Sequence, residues 1–186
     1  MYQIDISDNQ DCLQLDADYL TEVVRKTLEA EQVATASLSI AIVDNPTIHE
    51  LNREYLQHDY ETDVLSFLLE DADESLEQPG RPRGFGKDID GEVIVSAEYA
   101  KDLSADYEWE PLHELLLYIV HGVLHLCGYD DLSEDELPLM RERERAVFEL
   151  LNLPVPTRDN DDVGHVGDPD FDASRAQVDQ SAGGPS

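Results

Sequence analysis

His121 and His125 stand four residues apart inside the stretch Pro111 to Asp131, PLHELLLYIVHGVLHLCGYDD. The part from Leu112 to Leu126 is mostly apolar and lacks Pro, with Gly122 its only Gly, so it reads as a buried helix. At about 100° per residue, positions four apart lie roughly 40° apart on one face, which sets one imidazole above the other. Gly128 follows, where a left-handed residue ends a helix and turns the chain back. That turn brings Asp130 and Asp131 round toward the histidines. The pattern H-x3-H-x2-G-x2-D assembles three ligands, His121, His125 and Asp131, from one helix and its exit. Two neutral imidazoles and a carboxylate suit one Zn2+ ion and leave a fourth position for water. A lone His on an apolar helix is more often a core residue, but two at this spacing, followed by Gly and an acid, point to metal. Gly122 occupies the place where an H-E-x-x-H protease carries its general base, which argues against peptide hydrolysis by that route. Cys127, two residues past His125, should point away from the histidine face.

The elements that must hold this helix can be read on either side of it. Tyr2, Ile4 and Ile6 alternate with polar residues and predict a first strand. Asp16 or Asp18 can cap a helix whose Leu20, Val23, Val24 and Leu28 form one apolar face. Leu38, Ile40 and Ile42 predict a second strand ending at Asp44. Asn45-Pro46 opens a helix to about Leu56, with Ile48, Leu51 and Tyr55 along it. Thr62 to Leu69 predicts a third strand and Glu92 to Ser96 a fourth, followed by a helix from about Ala97. Between those strands, Asp71 to Asp88 reads as a long surface loop. It carries Arg81, Arg83 and Lys87, clustered bases that either touch phosphate or, more simply, lie in solvent. Its Gly84-Phe85-Gly86 turn is too short for a nucleotide fingerprint. After the histidine helix, Ser133-x-x-Glu136 is a capping box for a last helix to about Leu151. Leu139, Val147, Leu150 and Leu151 give that helix an apolar side. Arg141, Arg143 and Arg145 alternating with Glu142 and Glu144 read as a solvated, salt-bridged face.

The order β-α-β-α-β-β-α-α-α predicts an α/β fold, a single domain with a small mixed four-stranded sheet, packed helices and a zincin-like metal helix at its centre. That domain is expected over residues 1–151, with 152–186 a disordered acidic tail rich in Asp, Gly and Ser. A chain of 186 residues suffices for one such core. The net charge is −31, and the last 35 residues hold only 7 acids and 2 bases, so the folded part is itself strongly acidic. That repels nucleic acid at long range, where a ribonuclease usually shows a basic patch; a salt-rich cytoplasm would screen it. Cys12 and Cys127 form no disulfide framework. No run reaches transmembrane length and no apolar signal region follows Met1, so a cytoplasmic protein without membrane contact is expected.

HGVLHLCGYDD resembles the signature of the YbeY family of bacterial endoribonucleases and rRNA maturation factors, H-G-x-L-H-L-x-G-Y-D-H. Every fixed position is kept except the last, where Asp131 stands in place of His. LNREYLQHDYETDVLSF (Leu51 to Phe67) and DGEVIVSAEYA (Asp90 to Ala100) resemble two further family segments. The resemblance implies zinc on His121 and His125, with Asp131 carried over by position as a carboxylate in place of imidazole. It implies a zinc-dependent, single-strand-specific endoribonuclease that matures the 3′ end of small-subunit ribosomal RNA and acts in ribosome quality control. Its partners would be single-stranded and ribosomal RNA and the small ribosomal subunit, but not DNA. Where many relatives carry a functional Arg after the aromatic residue, this chain has Leu56. Arg53, three residues earlier, and His58, two residues later, are the polar alternatives for the cleft. Asp63, Asp130 and Glu114 are candidate general bases by charge. Two other classes stay open: a metal-dependent hydrolase of another substrate, and a non-catalytic ribosome-assembly factor stabilised by zinc.

Overall fold

The computed structural model describes residues 1–70, 80–107 and 109–156. The expected tail beyond Pro156, and residues 71–79 of the expected loop, lie outside the described residues. Four strands, β1 (Tyr2–Asp8), β2 (Thr35–Val43), β3 (Val64–Glu70) and β4 (Asp88–Ser96), form one mixed sheet in the order β1-β2-β4-β3. β1, β2 and β4 run parallel, with Ile4 beside Leu38 and Ile40 beside Val93; β3 runs antiparallel on the edge, with Ser66 opposite Val93. Among the described residues five α-helices accompany the sheet: α1 (Ala17–Ala30), α2 (Asn45–Leu51), α3 (Ala97–Asp106), α4 (Pro111–Cys127) and α5 (Leu137–Leu150).

Strand alternation divides the core. Leu38, Ile40, Ile42, Val64, Val93 and Val95 point to the face covered by α1 and α4, where the main core lies. Ala41, Val43, Leu65, Phe67 and Ile94 point to the reverse face and pack under α2. α4 is buried along nearly its whole length and touches α1, α3, α5, β3 and β4, which makes it the central helix. Gly122 permits that position. A Cβ there would stand 2.5 Å from Cγ1 of Val93 and 3.1 Å from Oγ of Ser66, so the helix reaches the sheet only without a side chain.

Local chemistry accounts for the boundaries. Asp16 caps α1 through Oδ1, which accepts from the N–H groups of Asp18 and Tyr19. β3 starts at Val64 rather than Thr62, because the Asp63 carboxylate takes the Val64 N–H at 2.9 Å and holds a turn there. The second helix stops being α-helical at Leu51 and widens into a π-helical turn over Asn52–Leu56. Asn52 is buried and donates to the Tyr60 carbonyl at 2.9 Å, and left-handed Gln57 ends the turn. Tyr55 lies exposed on that turn. The capping box at Ser133 is half formed. Ser133 Oγ accepts from the Glu136 N–H at 3.2 Å, but the Glu136 carboxylate is drawn away to Arg83.

α5 departs most from expectation. Leu139 and Leu150 are exposed, and the buried face is Met140, Arg141, Glu144, Val147 and Phe148. Of the Arg/Glu alternation only Glu142 and Arg145 are exposed; Arg141 and Glu144 are buried and Arg143 is half-buried. Arg143 reaches across to Glu31, a fully buried carboxylate at the end of α1, with Nε donating at 2.9 Å. Burying a carboxylate that deeply is costly unless such a partner meets it.

Candidate metal centre

The exit from α4 is set by Gly128, left-handed at φ 103°, whose N–H donates back to the His125 carbonyl. Beyond it, Asp130 Oδ1 accepts from the N–H groups of Asp131 and Leu132, at 2.8 and 3.2 Å. Asp130 thereby shapes the turn, and Asp131 is the acid turned to the histidines. Nε2 of His121 lies 2.8 Å from Nε2 of His125 and 3.4 Å from Oδ2 of Asp131; Nε2 of His125 lies 3.6 Å from Oδ1 of Asp131. Among the described residues this is a His/His/Asp cluster able to hold a metal ion.

Each imidazole is oriented from behind. The Nδ1–H of His125 donates to the Tyr129 carbonyl at 2.9 Å, and the Nδ1–H of His121 donates to Glu144 Oε1 at 2.7 Å. Both partners only accept, so both protons sit on Nδ1 and both Nε2 lone pairs face the same small space. Two Nε2 atoms 2.8 Å apart can share one cation. Burial alone would push the Glu144 carboxyl up. The hydrogen bond from His121 and the guanidinium of Arg141 more than offset it and hold it below the usual carboxylate range. Arg141 donates to both carboxylate oxygens, at 2.9 and 2.7 Å. The His121 and Asp131 side chains are each 6 % exposed and that of His125 20 %, so the cluster opens to solvent on the His125 side.

Glu144 and Arg141 back the cluster, a placement that the charge alternation concealed. Met140, Val147 and Phe148 fall at helical spacing and bracket position 144, which was the available signal that this face is buried. Cys127 packs in the core and burial pushes its thiol far up, in keeping with no ligand role.

The other residues singled out in the sequence lie outside the cluster. Arg53 and Leu56 are on the π-helical turn; Arg53 is exposed, while Leu56 packs on the apolar group of Val43, Ile48, Leu65 and Ile94. His58 stacks on Tyr60 with ring centroids 5.4 Å apart. The Asp63 carboxylate holds the Val64 turn. Glu114 is wholly buried, two turns before His121 on the same helix, about 10 Å along its axis.

A family model described as Endoribonuclease YbeY matches residues 4–152. Curated relatives of that description include a protein of Rhodopirellula baltica, 35% identical over 163 residues, which are 87% of this chain and 77% of the relative. One of Salinibacter ruber is 37% identical over 145 residues, 77% of this chain and 88% of the relative. One of Carboxydothermus hydrogenoformans is 38% identical over 152 residues, 80% of this chain and 97% of the relative.

Proposed function

The chain belongs to the YbeY endoribonuclease family, and on that premise we propose that it is a zinc-dependent endoribonuclease of single-stranded RNA, acting on the 3′ end of small-subunit ribosomal RNA and in ribosome quality control. The observation that carries the metal part is the convergence of two Nε2 lone pairs and one carboxylate on a single point. Tetrahedral ligation with bonds of about 2.0–2.1 Å separates ligand atoms by about 3.3 Å. Separations of 2.8, 3.4 and 3.6 Å straddle that value, so His121, His125 and Asp131 fit Zn2+ with a fourth position open.

Bound there, the ion supplies Lewis acidity toward a phosphodiester oxygen and lowers the pKa of water beside it. The chain's own residues supply the rest. Glu144 and the Tyr129 carbonyl keep both imidazoles in the tautomer that presents Nε2. Arg141 keeps Glu144 ionised and fixed. The burial of His121 and Asp131 excludes bulk water on their side and leaves approach to the substrate from the side of His125. Leu56 stands where the family resemblance implies an Arg in many relatives, and it packs on an apolar group, while Arg53 is exposed on the same turn.

The test is cleavage of labelled single-stranded RNA by wild type, by His121→Ala and by chelated protein. Cleavage by wild type alone is expected. Equal cleavage in all three would mean a contaminating nuclease. No cleavage by protein with a full zinc complement would leave the assembly-factor reading in its place.

A further inference from the structure

Residues Gly80 to Lys87 form a strap between the end of α1 and the exit of α4. On the α1 side the Gly86 N–H donates to the Gln32 carbonyl at 2.9 Å, and Arg81 donates to Gln32 Oε1 at 3.1 Å. Gly84 lies against the same turn, where a Cβ would stand 2.8 Å from Cβ of Glu31 and 2.9 Å from Cγ2 of Val33. On the α4 side Lys87 Nζ donates to the Cys127 carbonyl at 3.0 Å, close enough to Gly128 that a Cβ there would lie 2.9 Å from Nζ. Arg83 makes the remaining contacts. Its Nη1 donates to the Gly128 carbonyl at 3.0 Å, its guanidinium covers the Tyr129 ring at 5.2 Å, and it forks onto Glu136 at 2.5 and 2.9 Å. Arg83 and Lys87 thus meet protein acceptors, while Arg81 lies exposed.

The last carbonyls of α4 are its negative pole, so two cations there are well placed. Arg83 does something more specific. It ties Gly128 and Tyr129 to Glu136, and Asp131 lies between those tied points. The histidines ride on a buried helix, but the approach of Asp131 depends on the path of residues 128–136. Tyr129, the residue under the guanidinium, also supplies the carbonyl that orients His125. We propose that Arg83 is a positioning residue for the metal centre: it clamps the exit of α4 so that Asp131 and the Tyr129 carbonyl are held at ligating and orienting distance. This rests on His121, His125 and Asp131 being the ligands.

Co2+ reports both affinity, through competition with a chelator, and ligand geometry, through its visible absorption. Arg83→Met should lose about tenfold in affinity, the lower end of what loss of an outer-shell support costs, and its absorption should change. Arg83→Lys, which can keep the bond to Gly128 but not the fork, should fall between. Leu20→Ala is the control for plain destabilisation. It empties core space about 16 Å along α1 from the strap, and should melt lower yet keep wild-type affinity and spectrum. Glu136→Gln releases one tied point and should show a smaller loss with the same spectral change, which covers the case of an Arg83→Met protein that does not fold. Wild-type affinity and spectrum in Arg83→Met, or in Glu136→Gln should the former not fold, overturns the proposal alone. Equal loss in Leu20→Ala overturns it too. Wild type that binds no Co2+ overturns the metal reading and the proposal together.

Discussion

His121 and Glu144 meet across the contact of α4 with α5, Nδ1–H to Oε1 at 2.7 Å, with Arg141 on the far side of the carboxylate. α5 therefore reaches to the His/His/Asp cluster, although it adds no member to it. Since α5 holds the Nδ1 proton of a proposed ligand, loosening it should loosen the metal.

Glu144→Gln should lower metal affinity by about 10- to 100-fold, because the neutral amide is a weaker acceptor for the His121 Nδ1–H. It also leaves the buried Arg141 without its counter-charge, so the metal-free protein should melt lower. Competition with a zinc chelator and a melting curve of the metal-free form check the two effects separately. Unchanged affinity would show that His121 keeps its tautomer without the carboxylate.

Asp131 and Asp130 should behave differently despite being adjacent. Asp131→Ala removes the carboxylate 3.4 Å from His121 Nε2 and should cut metal occupancy sharply. Asp131→His, giving three imidazoles, should keep or strengthen it. Asp130→Ala removes only an acceptor for two backbone N–H groups and should cost about 1 kcal/mol of stability with a smaller effect on occupancy. Elemental analysis of the three purified variants decides; an essential Asp130 beside a silent Asp131 would reverse the assignment.

The parts of this fold that were legible in the sequence are those set by neighbours in the chain. Alternation of Leu38, Ile40 and Ile42, the Asp16 cap, and the spacing of His121, His125 and Gly128 are each determined within a few residues. What was not legible depends on partners far along the chain. Glu144 and Arg143 look solvated until His121, 23 residues before the one, and Glu31, 112 residues before the other, are placed beside them. Arg83 looked like a loop cation for the same reason, since Gly128 and Glu136 lie 45 and 53 residues further on. Asn52 breaks its helix by turning its amide to the Tyr60 carbonyl, a bond that periodicity does not reveal.

The Arg83–Glu136 pair should give a pH-dependent share of stability. The hydrogen bond from Arg83, and then its charge, hold the Glu136 carboxyl below its ordinary 4.5. A carboxyl lowered in the folded state stabilises fully above its unfolded value, and that contribution is lost as pH falls through the lowered one. Wild type should therefore melt about 1–3 °C above Glu136→Gln at neutral pH, as about 0.5–1 kcal/mol would produce in a chain of this size. The gap should close below about pH 4.5, where protonated Glu resembles Gln. A gap that stays constant down to pH 3 would mean that the pair contributes through packing alone.

The salt dependence of RNA cleavage should be inverted relative to a basic nuclease. With a net charge of −31, the surface repels RNA over a Debye length of about 8 Å near physiological salt and about 3 Å at 1 M. Direct contacts from Lys and Arg to phosphate weaken with salt, so the two effects oppose one another. Only 12 Lys and Arg stand against 43 Asp and Glu, and Arg83, Lys87, Arg141 and Arg143 are already engaged with protein acceptors. Screening of the repulsion should therefore dominate first. Cleavage of single-stranded RNA by zinc-loaded protein should rise with added salt before it falls, while duplex RNA is cut poorly throughout. Initial rates across a salt series, with His121→Ala as the blank at each point, measure this. A rate that only falls from the lowest salt upward would show that a local patch of bases, not the acidic surface, governs the approach of RNA.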